Sequence, residues 1–187
     1  MITLVSGLPR SGTSLVMRML GAGGHPLCYD QPESFECAGF PHVDLNAAEG
    51  RALKWLDPFT LGGPPSGRAY RTIVLTRGPH EQARSMLRFV AAALGMRLPA
   101  AGLVEALRRD TPRLAPFWGA YGPVLPLTFE DLLAHPHETA GQLATFCGLP
   151  FSVAMAAQVR ARGPQASKEP RELTMAHDPA LWHGAPA

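Results

Sequence analysis

A chain of 187 residues suits a single domain built around one sizeable core. Its apolar fraction of 46% and charged fraction of 17% are those of a soluble globular protein. A net charge of +2, with no run of arginine or lysine, argues against a nucleic-acid binder but leaves room for a local basic pocket. Residues 2–6 ("ITLVS") form a short apolar run closed by Gly7, the pattern of a buried strand. From about Ser11 to Gly21, Leu15, Met19 and Leu20 make a helical stripe that Gly23 and Gly24 stop. "PLCY" predicts a short second strand. Residues 30–50 are polar and irregular, punctuated by Pro32, Gly39 and Pro41. "ALKWL" at 52–56 predicts a strand ended by Asp57 and Pro58, and "RTIVLT" at 71–76 a strongly buried one. "PHEQARSMLRFVAAAL" opens on a proline suited to a first helical turn and continues as a helix. A further helix begins with "GLVEALRRD" and is broken near Pro112 and Pro116 before Trp118. "VLPLT" at 124–128 reads as a strand weakened by Pro126. "HETAGQLATFCG" reads as a helix ending at Gly148. Beyond about residue 158 the tail is rich in proline and charge, and loose order is expected there.

Strands alternating with helices indicate an α/β sandwich around a mostly parallel sheet, taken here as one domain over residues 1–187. In such sheets ligands bind beyond the carboxyl ends of the strands. That edge would carry residues 7–14, Lys54 to Asp57, Arg77 and the segment after Thr128. Cys28, Cys37 and Cys147 have no metal-ligand spacing and read as reduced, partly buried thiols. Met1 leads straight into the first strand, so no signal peptide is expected. The apolar stretch "FVAAALGM" is far shorter than the roughly 18 residues of a spanning helix. A cytoplasmic protein is the expectation.

The stretch "VSGLPRSGTS" carries the chemistry. A strand, a tight loop and a helix N-terminus together form an anion site, because free backbone N–H groups and the helix dipole both favour negative charge. Gly7 and Gly12 allow close approach of the backbone, Pro9 lies within the turn, and Ser11, Thr13 and Ser14 offer hydroxyls. Arg10 adds a permanent charge on a planar fork. The nucleotide-hydrolysing loop G-x-x-x-x-G-K-[ST] needs a lysine where Thr13 stands, which weighs against an ATP-dependent kinase.

"GLPRSGTS" resembles the 5′-phosphosulfate loop of sulfotransferases that use 3′-phosphoadenosine 5′-phosphosulfate (PAPS). Arginine at position 10 is closer to tyrosylprotein sulfotransferases and bacterial relatives than to cytosolic members, which usually carry lysine. A second block, "LTRGPHEQARSM", is similar to the family's 3′-phosphate site, with Arg77 at a strand end and Ser85 eight residues on. A third, "LTFEDLLAHPHETAGQLATFCGLP", resembles the family's late strand and helix. There Glu130 and Asp131 read as capping or supporting groups. The matching blocks run from residue 2 to about 150, with a poorly matched middle.

The resemblance implies a P-loop-type three-layer α/β sandwich and transfer of a sulfuryl group from PAPS to a hydroxyl acceptor. The product is adenosine 3′,5′-bisphosphate (PAP), and no metal is required. Residues 7 and 9–14 (Gly7, Pro9, Arg10, Ser11, Gly12, Thr13, Ser14), with Arg77 and Ser85, are the implied cofactor contacts. Arg10 is the first cation for the leaving group, and Lys54, in a segment resembling Lys-Asp-Pro-Phe of tyrosylprotein sulfotransferases, is the second. "YDQPESFE" supplies the candidate bases, Glu36 ahead of Glu33, with His42 third; a carboxylate beside the acceptor can take its proton. The chain departs from the family in two places. No aromatic closely follows Ser14 to stack on adenine, and the Arg-Lys-Gly segment of cytosolic members has its nearest counterpart at 160–163. The expected partner is a small or carrier-bound hydroxyl compound, in an open site or one completed by a second copy. A non-catalytic nucleotide-binding module and a small-molecule kinase with a divergent loop are the alternatives.

Overall fold

The structure is a computed structural model that describes residues 1–32, 34–37, 41–96 and 99–160. Glu33 and residues 161–187 lie outside the described residues, so the expectations placed on them stand as sequence readings. Five strands form one sheet: β1 (Ile2–Gly7), β2 (Leu27–Cys28), β3 (Ala52–Leu56), β4 (Tyr70–Thr76) and β5 (Val124–Thr128). Their spatial order is β2-β3-β1-β4-β5, and every pairing is parallel. β1 is central and buried along its whole length, Thr3 and Ser6 included, which is why it reads as a largely apolar run. Pro126 is accommodated because β5 ends the sheet and pairs only with β4, opposite Val74.

Helices cover both faces, and side-chain alternation along the strands divides the core in two. On one face Val5, Ile73 and Leu75 pack against α1 (Thr13–Ala22), α6 (Phe129–Ala134), α7 (Pro136–Cys147) and α8 (Val153–Arg160). Leu15, Leu132, Leu143 and Met155 are the contributions of these helices. On the other face Leu4, Leu53, Trp55 and Val74 pack against α3 (Pro79–Leu94), α4 (Ala100–Asp110) and α5 (Leu114–Gly119). Their contributions include Ala83, Leu107, Leu114 and Trp118. A short α2 (Pro58–Leu61) follows β3, and a 3-10 turn at Thr111–Arg113 joins α4 to α5 where Pro112 interrupts the helix. The result is the expected three-layer α/β sandwich with a parallel central sheet.

The chain runs from β1 outward to β2, returns to β3 beside β1, then crosses to β4 and β5 on the other side. That reversal opens a crevice at the carboxyl end of β1, the usual ligand position in such sheets.

Candidate active site at the carboxyl edge of the sheet

The loop after β1 is shaped by close contacts that only glycine permits. A Cβ on Gly7 would stand 2.5 Å from the Leu75 carbonyl oxygen and from Ser11 Oγ. Gly12 has φ 108°, and a Cβ there would come within 2.5 Å of the Phe129 ring. Arg10 is also left-handed, with φ 68°. Two left-handed residues around Ser11 turn the chain sharply into α1. Gly12 is the N-cap of α1, so that end has no side-chain cap, and its first turn holds no acidic residue. Its N–H groups and positive dipole end are therefore available to an anion. Ser11 is fully buried, with Oγ tucked against Gly7, and Thr13 is buried in the first turn of α1.

Arg10, Arg77 and Ser85 converge from three elements. Arg10 Nε donates to Ser85 Oγ at 3.4 Å, and Arg77 Nη1 donates to the Arg10 carbonyl at 3.4 Å. The Arg10 guanidinium lies 5.1 Å from the Phe89 ring centre, and that of Arg77 lies 4.4 Å from Phe129. Burial lowers the Arg10 pKa first, and Arg77 adds to the shift. Arg77 is lowered by burial as well, with Glu130 and Glu81 opposing. Both guanidiniums stay charged, so the edge holds a partly dehydrated cation pair. Arg77 Nε is buried and without a partner among the described residues. Glu130 Oε1 accepts from Gly78 N at 3.0 Å, and Asp131 Oδ2 accepts from Thr128 Oγ1 at 2.7 Å, so both carboxylates make supporting contacts.

Lys54, Glu36 and Ser14 also meet. Lys54 is only 6% exposed, and Nζ donates to Ser14 Oγ (3.1 Å), the Ser34 carbonyl (2.9 Å) and Glu36 Oε1 (2.9 Å). Three ammonium protons thus meet three acceptors drawn from α1 and the loop before β3. Glu36 is set by a bridge to Gln31, and neighbouring Phe35, with φ 58°, stacks edge-on to Tyr29. His42 is exposed, with no hydrogen bond or ion pair to these residues. Cys37, beside Glu36, is pushed up to about 12 by burial and by the nearby Cys28 thiol, so it remains a thiol and not a nucleophile.

Sequence reading missed Gln82. It is buried, and Nε2 donates to the carbonyls of Leu8 (3.3 Å) and Pro9 (2.9 Å). Its position three residues before Ser85, hence on the same helix face, was the available signal. Phe89 and Phe129, which flank the guanidiniums, carried no sequence signal beyond their apolar character.

No family model matches the chain, and no curated protein matches it in sequence. Solved structures do match. A mouse sulfotransferase complexed with PAP superposes with TM-score 0.58 at 17% identity, over 89% of this chain and 66% of the other. Retinol dehydratase in complex with androsterone and inactive cofactor PAP gives 0.56 at 16%, over 86% and 63%. A sulfotransferase domain from the curacin biosynthetic pathway gives 0.57 at 17%, over 82% and 76%. The fold is that of the sulfotransferases. The chain spans less than two thirds of the length of the first two proteins. Within this sulfotransferase fold, the loop after β1, the end of β4 and the start of α3 form one continuous edge. Among the described residues, no helix is long and apolar enough to cross a membrane. No cluster of three or more His, Cys, Asp or Glu among them could hold a metal ion.

Proposed function

We propose that the chain transfers a sulfuryl group from PAPS to the hydroxyl of a small or carrier-bound acceptor. The observation that carries this reading is the Arg77–Arg10–Ser85 chain beside the uncapped N-terminus of α1. Two dehydrated guanidiniums that repel each other, one with an unpartnered buried Nε, fit a ligand with anionic groups at both ends. Thr13 in place of a phosphate-gripping lysine, with Arg10 three residues earlier, favours this ligand over ATP with Mg²⁺.

Arg77 and Ser85 hold the 3′-phosphate. The loop Gly7, Pro9, Arg10, Ser11, Gly12, Thr13 and Ser14 wraps the 5′ end, its donors being the N–H groups of Gly12, Thr13 and Ser14 at the start of α1, because Ser11 Oγ is turned inward and Ser11 N–H donates to the Leu8 carbonyl. PAPS supplies an activated sulfuryl group on a phosphate leaving group. Arg10 stabilises the charge that collects on that phosphate without giving up its proton. Glu36 accepts the proton of the acceptor hydroxyl. Lys54 holds Glu36 Oε1 and ties the carboxylate to Ser14 in the loop, so the base and the donor site keep a fixed separation. Glu33 is the neighbouring candidate for the same proton.

Calorimetric titration with PAP, beside ATP with and without Mg²⁺, tests the reading. Binding of PAP that is indifferent to metal supports it. Preference for ATP with Mg²⁺ moves the chain to the kinases, and binding of neither overturns the donor site.

A further inference from the structure

We infer that Gln82 is a positioning residue that couples the two ends of the ligand site, setting the 5′ loop from the helix that carries the 3′ contact. The inference rests on the PAPS reading above and deepens it. Gln82 and Ser85 lie one turn apart on the same face of α3, both buried. From there the Gln82 amide holds two successive loop carbonyls, those of Leu8 and Pro9. In a trans peptide the C=O and the following N–H point to opposite sides. A donor on the Pro9 carbonyl from within the core therefore turns the Arg10 N–H the other way, away from Gln82. It also braces Arg10 in its left-handed conformation, a geometry that a non-glycine residue keeps only where its surroundings hold it. Arg10 then closes the circuit by reaching back to Ser85. Loop and helix are thus joined twice, once through the Gln82 amide and once through the Arg10 guanidinium.

Two ligands separate this role from simple packing. Adenosine 3′-phosphate engages the Arg77–Ser85 end alone, whereas PAP engages both ends. Gln82→Met keeps the length and volume and removes the donor. Its expected effect is an affinity for adenosine 3′-phosphate within about twofold of wild type and an affinity for PAP lower by about tenfold. Gln82→Leu serves as the second variant if the methionine chain loses its cooperative melt. Equal weakening of both ligands would make Gln82 a structural residue of α3 and overturn the inference. So would an unchanged preference for PAP over adenosine 3′-phosphate in the variant. A wild-type chain that binds neither ligand overturns the PAPS reading itself, and this inference with it.

Discussion

Each arginine at the sheet edge is held at a cost that a bound anion would offset. Burial and mutual repulsion lower the pKa of Arg10, and burial lowers that of Arg77, so both sites are poised to gain when a phosphate arrives. Arg10→Ala and Arg77→Ala should each weaken PAP by about 10–100-fold, the range for a charge-assisted contact worth about 1.5–3 kcal/mol. Titration calorimetry reads this directly. Lys54 behaves differently, because its ammonium is already engaged by Ser14, Ser34 and Glu36. Lys54→Met takes the ammonium donor away from the Glu36 carboxylate. It should lower kcat strongly while changing PAP affinity by less than about threefold, and destabilise the chain by about 1–3 kcal/mol. Steady-state kinetics with a sulfate-accepting phenol, beside a denaturant melt, separates these effects.

At the scale of elements, the loop, α1 and α6 form one assembly. Gly12 packs so close to Phe129 that α1 and α6 meet at a glycine with positive φ. Gly12→Ala combines a strained backbone with a clash against a ring, and should cost about 1–3 kcal/mol and abolish measurable PAP binding. α6 is started by Thr128, whose Oγ1 accepts from Asp131 N. Thr128→Ala should cost about 1 kcal/mol, lowering Tm by about 2–4 °C by calorimetric scan. PAP binding should weaken as well, since the same short helix carries Glu130 onto Gly78, next to Arg77.

Across the whole molecule, the end of the sheet opposite the site is closed by a buried polar network. His25 Nε2 lies 3.0 Å from Thr3 Oγ1, which also accepts from Arg71 Nε, and Arg71 Nη1 reaches the Phe146 carbonyl. The network joins β1, β4 and α7. Burial, with Arg71 nearby, pushes the His25 pKa below its ordinary 6.5, so the folded chain holds this histidine neutral. The unfolded chain binds the proton more readily. Its contribution to stability is therefore full above about 6.5 and declines as pH falls from there toward the lowered folded value. Urea melts between pH 7.5 and 5 should show this decline. His25→Gln should flatten it, and an unchanged slope would place the pH dependence elsewhere.

The elements and one half of the site were legible in the chain itself. Parallel strands buried on both faces leave runs dominated by apolar residues, so β1, β3 and β4 stand out, and Pro79 and Gly148 mark the start of α3 and the end of α7. The short helices α2, α6 and α8 were not read, because a few residues carry too little periodicity to distinguish a turn from a helix. The candidate anion loop was readable because its glycines, hydroxyls and Arg10 lie between one strand end and one helix start, whereas the pairing of Arg77 with Ser85 came from the resemblance to the sulfotransferase 3′-phosphate block. The other half is tertiary. Lys54 meets Ser14 across 40 positions and Glu36 across 18, and Gln82 meets Pro9 across 73. Those meetings exist only because β3 pairs beside β1 and α3 packs across the loop after β1, and long-range pairing of this kind leaves no local pattern in a sequence. Local propensity therefore determined which segments are strands and helices and where a tight glycine loop would lead into an uncapped helix N-terminus. The order of the strands decided that a lysine from β3 would face inward to a carboxylate, and that a glutamine would brace the loop.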